Sequence, residues 1–202
     1  MMHKVTGVKR LKCTKQQAKL LMKVEKELEA ETDRQLDIIY HAAALALYRY
    51  HSWSTEQIAD LVSRVSQEVW SECAESTELS MVQMLYDETG IELMSEDKSQ
   101  RWTEYSFLNS ELDDGRDLNV FQWIAMRQNQ KKWVPAQIVA CVLMALYRKE
   151  GWKVDGLGRL FGEMETIKHD YRLDPNKLRE QSYEETGFQI ADEHFLVPSK
   201  EA

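Results

Sequence analysis

Turn-forming residues are scarce in this chain: 8 glycines and 3 prolines in 202 residues, with the prolines isolated at Pro135, Pro175 and Pro198. Sandwiches and barrels built from short strands need a turn signal roughly every ten residues, so this scarcity disfavours them. Long apolar runs are also missing. No window approaches the about 18 uncharged apolar residues that a membrane span requires, and the opening M-M-H-K-V-T-G-V-K-R-L-K lacks the apolar core of a secretory signal. The expected home is therefore the cytoplasm, with no membrane association. Cysteine is sparse and unpatterned: Cys13, Cys73 and Cys141 are odd in number, far apart and never in a C-x-x-C arrangement. Neither a disulfide framework nor a zinc module is indicated, and the expectation is three reduced thiols.

Catalytic signatures are absent too. The chain contains no G-x-x-x-x-G-K-S/T, G-x-G-x-x-G, H-E-x-x-H or G-x-S-x-G. G-L-G-R-L-F-G at Gly156 to Gly162 falls inside a predicted helix rather than after a strand, so it cannot cradle a phosphate, and close helix packing is its expected use. His3, His41, His51, His169 and His194 have no ligand spacing, and His41, in an apolar stretch, reads as a core histidine with its hydrogen bonds satisfied. No catalytic residue, metal or cofactor is expected.

What is present is 43% hydrophobic residues, enough for a packed core, and a net charge of −8 that is unevenly spread. Residues 1 to 23 carry seven Lys and Arg and no acid, which leaves −15 on the remainder. Such an acidic body repels phosphate backbones and favours basic partners. The basic head, with Lys9, Arg10, Lys12, Lys15 and Lys19, is the place a nucleic acid would bind, but it has no interleaved aromatics and no arginine cluster.

The most informative feature is a repeat. A-L-Y-R-Y-H-S-W at Ala46 to Trp53 returns as A-L-Y-R-K-E-G-W at Ala145 to Trp152, displaced by 99 residues; Y-D-E-T-G at Tyr86 to Gly90 returns as Y-E-E-T-G at Tyr183 to Gly187, displaced by 97. Two matches in one order at nearly one offset indicate a tandem duplication. The expected fold class is all-α: a three- to four-helix unit duplicated and packed with pseudo-twofold symmetry, as in an isologous interface made within one chain. The expected organisation is a basic segment and leading helix over residues 1–31, repeat unit one over 32–93, a charged connector over 94–117, repeat unit two over 118–190 and a tail over 191–202.

Each unit reads as three helices. In unit one the first is apolar on most faces and starts near Thr32 and Gln35, which resemble a capping box. The second opens at the box Ser54 to Gln57, and the third ends at Gly90. In unit two Pro135 marks the start of the first helix, Asp155 to Tyr171 the second, and Asp174-Pro175 to Gly187 the third. A charged helix capped by Thr14 precedes unit one.

The residues kept in both copies supply the site candidates. Asp87 and Glu88, and their counterparts Glu184 and Glu185, place acids in the last turn of a helix, where the macrodipole disfavours them. Compensation by arginine is expected within each unit: Arg49 with Asp87 or Glu88, and Arg148 with Glu184 or Glu185. The alternative, acids lining a shared metal cleft, lacks the E-x-x-E and E-x-x-D spacings of all-α nucleotide pyrophosphatases. Trp53 and Trp152 should cap the corners between first and second helices. Arg101, Trp102, Tyr105 and Phe107 form the best aromatic patch for a partner.

A-L-Y-R-x-x-G-W followed some thirty residues later by Y-E-E-T-G-F resembles, over residues 42–93 and 141–190, small helical proteins encoded by phages and mobile elements of Gram-positive bacteria. That resemblance implies an accessory gene product, and among such acidic proteins inhibitors of host defence, including anti-CRISPR proteins, are a known class. The expectation is a non-enzymatic protein-binding module, monomeric or homodimeric, that engages a host nucleic-acid-handling protein with a basic surface. The alternatives are a DNA- or RNA-binding regulator using the basic head and a metal-dependent hydrolase using the paired acids.

Overall fold

Thr14 opens the first helix through a reciprocal cap: its N–H donates to Oε1 of Gln17 at 2.8 Å, and the Gln17 N–H donates to Thr14 Oγ1 at 3.2 Å. The helix it starts, α1 (Lys15–His51), runs unbroken for 37 residues. The computed structural model describes residues 14–66, 80–93 and 120–190, which form five further helices and no strand: α2 (Thr55–Arg64), α3 (Ser80–Thr89), α4 (Val120–Lys149), α5 (Val154–Asp170) and α6 (Pro175–Thr186). The fold class is all-α.

Two helix starts expected from the sequence are absent. Thr32 and Gln35 lie within α1, because no Gly or Pro between residues 15 and 51 interrupts the helical hydrogen bonds. Pro135 lies within α4 instead of at its start. An internal proline removes one backbone hydrogen bond and costs about 3 kcal/mol in an isolated helix. Here packing overrides it: on the stretch before the proline, Val120 and Ile124 bury themselves against Val24, with Leu21 beside them.

The chain divides into two compact units that do not follow sequence order. The smaller holds α1 as far as Glu31 and α4 as far as Trp133. Its core is the cluster of Val24, Val120 and Ile124, flanked by an ion pair between Arg127 Nε and Glu25 Oε1 at 2.9 Å. The larger unit holds the rest, so the matched three-helix segments α1–α2–α3 and α4–α5–α6 share one unit from Thr32 and Val134 onward. Its centre is made by two helices buried on all faces. Leu36 and Ile38 to Leu47 on α1, and Ile138 to Leu146 on α4, are buried without interruption, as a helix enclosed by others must be. Ile58, Leu61 and Val62 on α2, Met81, Val82 and Leu85 on α3, Leu157, Leu160, Met164 and Ile167 on α5, and Leu178 on α6 close around them.

The remaining caps match the sequence. Ser54 and Gln57 form the expected box on α2, Asp174 accepts from the N–H groups of Asn176 and Lys177 at the start of α6, and Gly90 and Gly187 take φ of 73° and 69° at the ends of α3 and α6. Among the described residues no helix is long and apolar enough to cross a membrane.

Candidate functional site

The acids at the ends of α3 and α6 are compensated by arginine, but the partner comes from the other segment. Arg49, at the end of α1, grips Glu185 of α6 with both arms of its guanidinium, Nε to Oε2 at 2.8 Å and Nη2 to Oε1 at 2.5 Å. Nη2 also donates to the Tyr171 hydroxyl at 3.2 Å. Arg148, at the end of α4, reaches back to Glu88 of α3, with Nη2 to Oε1 at 2.5 Å and Nε to Oε2 at 3.4 Å. The pairing expected within each unit is thus corrected to a crossed one. In physical terms, α1 and α4 are both enclosed, and each ends beside the third helix of the other segment. The hydrogen bonds from Arg49 hold the Glu185 carboxyl below the usual carboxylate range, and those from Arg148 do the same for Glu88. Glu185 also accepts from Gln181 at 2.7 Å, and Asp87 from Gln83 at 2.6 Å.

The two crossed clamps belong to a wider reciprocity. His51 Nε2 lies 2.7 Å from Glu163 Oε2, and Arg64 Nη1 donates to Glu150 Oε1 at 2.7 Å. Positions 51 and 150, and 64 and 163, are each 99 apart, so these two contacts exchange when one segment replaces the other. Even the sign pattern inverts, with a base opposite an acid in both. Backbone bonds repeat as well. Trp53 N–H donates to Leu47 O at 3.2 Å and Trp152 N–H to Leu146 O at 3.1 Å; Gly90 N–H and Gly187 N–H donate to Tyr86 O and Tyr183 O at 2.7 and 2.9 Å. Trp53 and Trp152 meet each other edge to face with ring centroids 6.0 Å apart, and His51 lies against Trp152 at 4.9 Å. Sequence reading missed the His51 and Arg64 pairs because the matched residues are not identical. The signal was present in the offset: a basic side chain stands 99 residues from an acidic one in each pair, His51 from Glu150 and Arg64 from Glu163.

Around these locked pairs lies an exposed surface of acids and tyrosines. Tyr86 is 45% exposed and Tyr183 57%, with Asp87 and Glu184 exposed beside them. Neither Asp87 nor Glu184 is the acid that the arginine grips. Tyr48 and Tyr50, flanking Arg49, are exposed as well. This surface can present hydroxyls, aromatic faces and carboxylates not gripped by arginine to a partner without rearrangement, because the gripped acids fix the helix ends that carry them.

Other sequence candidates separate. Lys15 and Lys19 lie on exposed positions of α1, and Lys19 shares an open face of that helix with Met22, Lys23, Lys26, Glu27 and Ala30. Lys9, Arg10 and Lys12, and the patch of Arg101, Trp102, Tyr105 and Phe107, lie outside the described residues. Close packing does not explain the glycines of α5: a side-chain carbon added at Gly158 or Gly162 would meet nothing within 4 Å, and at Gly156 it would meet only the edge of Trp152 at 3.5 Å. His41 is buried but not satisfied, since neither ring nitrogen has a hydrogen-bond partner. Its polar neighbour is taken: Asp37 already receives the Arg179 guanidinium. Cys141 is buried. Among the described residues no three His, Cys, Asp or Glu side chains gather as metal ligands.

No family model matches the chain, and no curated protein and no solved structure matches it.

Proposed function

We propose that the chain is a tandemly duplicated all-α scaffold, its two segments related by a pseudo-twofold axis, that binds a protein partner through the acid-and-tyrosine ends of α3 and α6. Reciprocal contacts support the symmetry: in an isologous arrangement, residue i meeting j implies that the counterpart of j meets the counterpart of i. Arg49 with Glu185 against Arg148 with Glu88, and His51 with Glu163 against Glu150 with Arg64, obey that rule.

The observation that carries the binding reading is the repeated exposure of Tyr86-Asp87 and Tyr183-Glu184 on helix ends pinned by arginine. Exposed tyrosines on rigid supports lose little freedom on binding, and aromatics dominate binding energy at protein interfaces. The acidic charge outside residues 1–23 selects a basic partner and accelerates encounter. A nucleic-acid-handling protein of the bacterial host, blocked at its phosphate-binding surface, fits that chemistry, and the protein then acts as a non-enzymatic inhibitor encoded by a phage or mobile element. Affinity capture from a Gram-positive lysate treated with nuclease tests it. A discrete protein retained by the native chain and lost on the Tyr86→Ser, Tyr183→Ser double substitution supports the reading. Retention unaffected by that substitution refutes the assigned surface.

A second reading has its own observation, the face of α1 that carries Lys19, Lys23 and Lys26 beside Glu27, which pairs with Lys23. Direct nucleic-acid binding there would weaken steeply with salt, and the slope of log affinity against log salt would flatten on removing residues 1 to 23.

A further inference from the structure

In the middle of the enclosed stretch of α1 sits His41, 0% exposed. Buried polar side chains are normally hydrogen-bonded. Here Nε2 stands 3.7 Å from Oδ1 of Asp37, one turn back on the same helix and beyond hydrogen-bond reach, and both ring nitrogens go without a hydrogen-bond partner. The ring is tilted against Phe188, centroids 5.7 Å apart. Phe188 follows Gly187, the cap of α6, whose buried stripe is Leu178, Ser182 and Thr186, and Ser182 Oγ is a further buried polar atom without a hydrogen-bond partner.

The matched positions show an alternative. His41 corresponds to Ala140 at a displacement of 99, and Ser182 to Leu85 at 97. Both counterparts are fully buried and apolar. One half of the fold places a large ring on the long helix and a small hydroxyl on the third helix; the other places a small methyl and a large aliphatic chain. The core therefore fills the matched positions with apolar side chains in one half and with His41 and Ser182 in the other.

The charged groups that bear on the ring are few. Asp37, on its own helix, is held by Arg179 of α6. Val134 to Leu146 of α4 contains no charged residue, and the buried faces of α2 and α3 are apolar. On α5 the buried Lys168 pairs with Glu165 at 2.5 Å. The carboxylate that faces the ring is therefore Asp37, whose Oδ1 stands 3.7 Å from Nε2 while Oδ2 receives Arg179, so an imidazolium would have to share it with the guanidinium.

We propose that His41 makes the contact between α1 and α6 an acid-released catch: when the ring takes up a proton, α6 and Phe188 come away from α1, while α3, facing the apolar counterpart, stays closed. Desolvation, assisted by the Arg179 charge, pulls the His41 pKa from 6.5 down to about 4. The sign follows. The open form binds the proton more readily than the closed one, so closure is fully stable above pH 6.5 and weakens as pH falls towards 4. Over that window the opening constant rises up to about tenfold per pH unit. The clamp from Arg49 does not mask this, because Glu185 stays ionised to lower pH.

Hydrogen exchange of the full chain, corrected for intrinsic rates and followed from neutral pH to about pH 4.5, tests the catch. The α6 amides should open progressively and the α3 amides should not. Replacing His41→Ala with Ser182→Leu, which copies Ala140 and Leu85, should abolish the pH dependence of α6. A pH-independent α6 in the native chain, or the same dependence in the double variant, overturns the proposal. Should the double variant not fold, the ring titration of His41 in the native chain decides: protonation only well below 6.5 supports the catch, and protonation near 6.5 overturns it.

Discussion

Ser52 occupies the left-handed region at φ 56°, in the turn where the matched residue is Gly151 at φ 68°. The turn itself is the same in both places, closed by the N–H of the tryptophan that follows. Only glycine holds that conformation without strain, so one turn carries a residue suited to it and the other does not. Ser52→Gly should raise stability by about 0.5–1 kcal/mol, read as a shift of the urea midpoint at unchanged slope. Gly151→Ala should lower it by a similar amount. The clamp between Arg49 and Glu185 is a second test at this scale. Both side chains are about one-quarter exposed, at 27%, so solvent screening limits the pair to about 1 kcal/mol of coupling in a double-mutant cycle. Glu185 titrates below its unfolded value of 4.5, hence the coupling should be complete above that pH and vanish as pH falls through the lowered folded value. A coupling that persisted in strong acid would mean that packing of the Arg49 stem, and not charge, holds α6.

On α5 the glycines are the anomaly. Gly158 and Gly162 are exposed, one turn apart, with open space where a side chain would stand. Each costs about 0.8–1 kcal/mol relative to alanine inside a helix. Gly158→Ala and Gly162→Ala should therefore each stabilise the chain by about that amount, measured by chemical denaturation. Loss of partner capture in the same variants would assign the bare helix face to binding. The sequence misleads here because a glycine-rich helix reads equally as close packing or as exposed backbone, and only the neighbours distinguish the two. The same limit explains the two helix starts. Ser54, Asp174, Gly90 and Gly187 were legible because their signals are local: a side chain within hydrogen-bond reach of the next turn, or a φ only glycine favours. Thr32 and Pro135 carry local signals of equal strength, yet α1 and α4 run through them. For Pro135 the deciding term is burial of Val120 and Ile124 against Val24, about a hundred residues away in sequence.

At the scale of the whole molecule, the matched phrases identified the residues of the clamps but not which segment each would meet. Matched phrases suggest that Arg49 and Arg148 play one role; they are silent on whether that role is played within a segment or between segments, since both choices leave the sequence unchanged. The choice has a mechanical consequence. Pairs confined to a segment would let each open alone, whereas the crossed pairs tie the end of α1 to α6 and the end of α4 to α3. The hydroxyl of Thr55 on α2, donating to the carbonyl of Thr186 on α6, adds another tie between the segments. Local opening should then report across the chain. Arg49→Ala should speed hydrogen exchange at the end of α6 and leave α3 protected, and Arg148→Ala should do the reverse. Each clamp acts on an exposed pair worth about 1 kcal/mol, so the expected acceleration is several-fold and confined to the last turns. Exchange that rose instead in the third helix of the mutated segment would place the arginine within its own segment in solution. Besides refuting the crossed clamps, that result would remove the reciprocity from which the pseudo-twofold relation, and the matched binding surfaces at the ends of α3 and α6, are inferred.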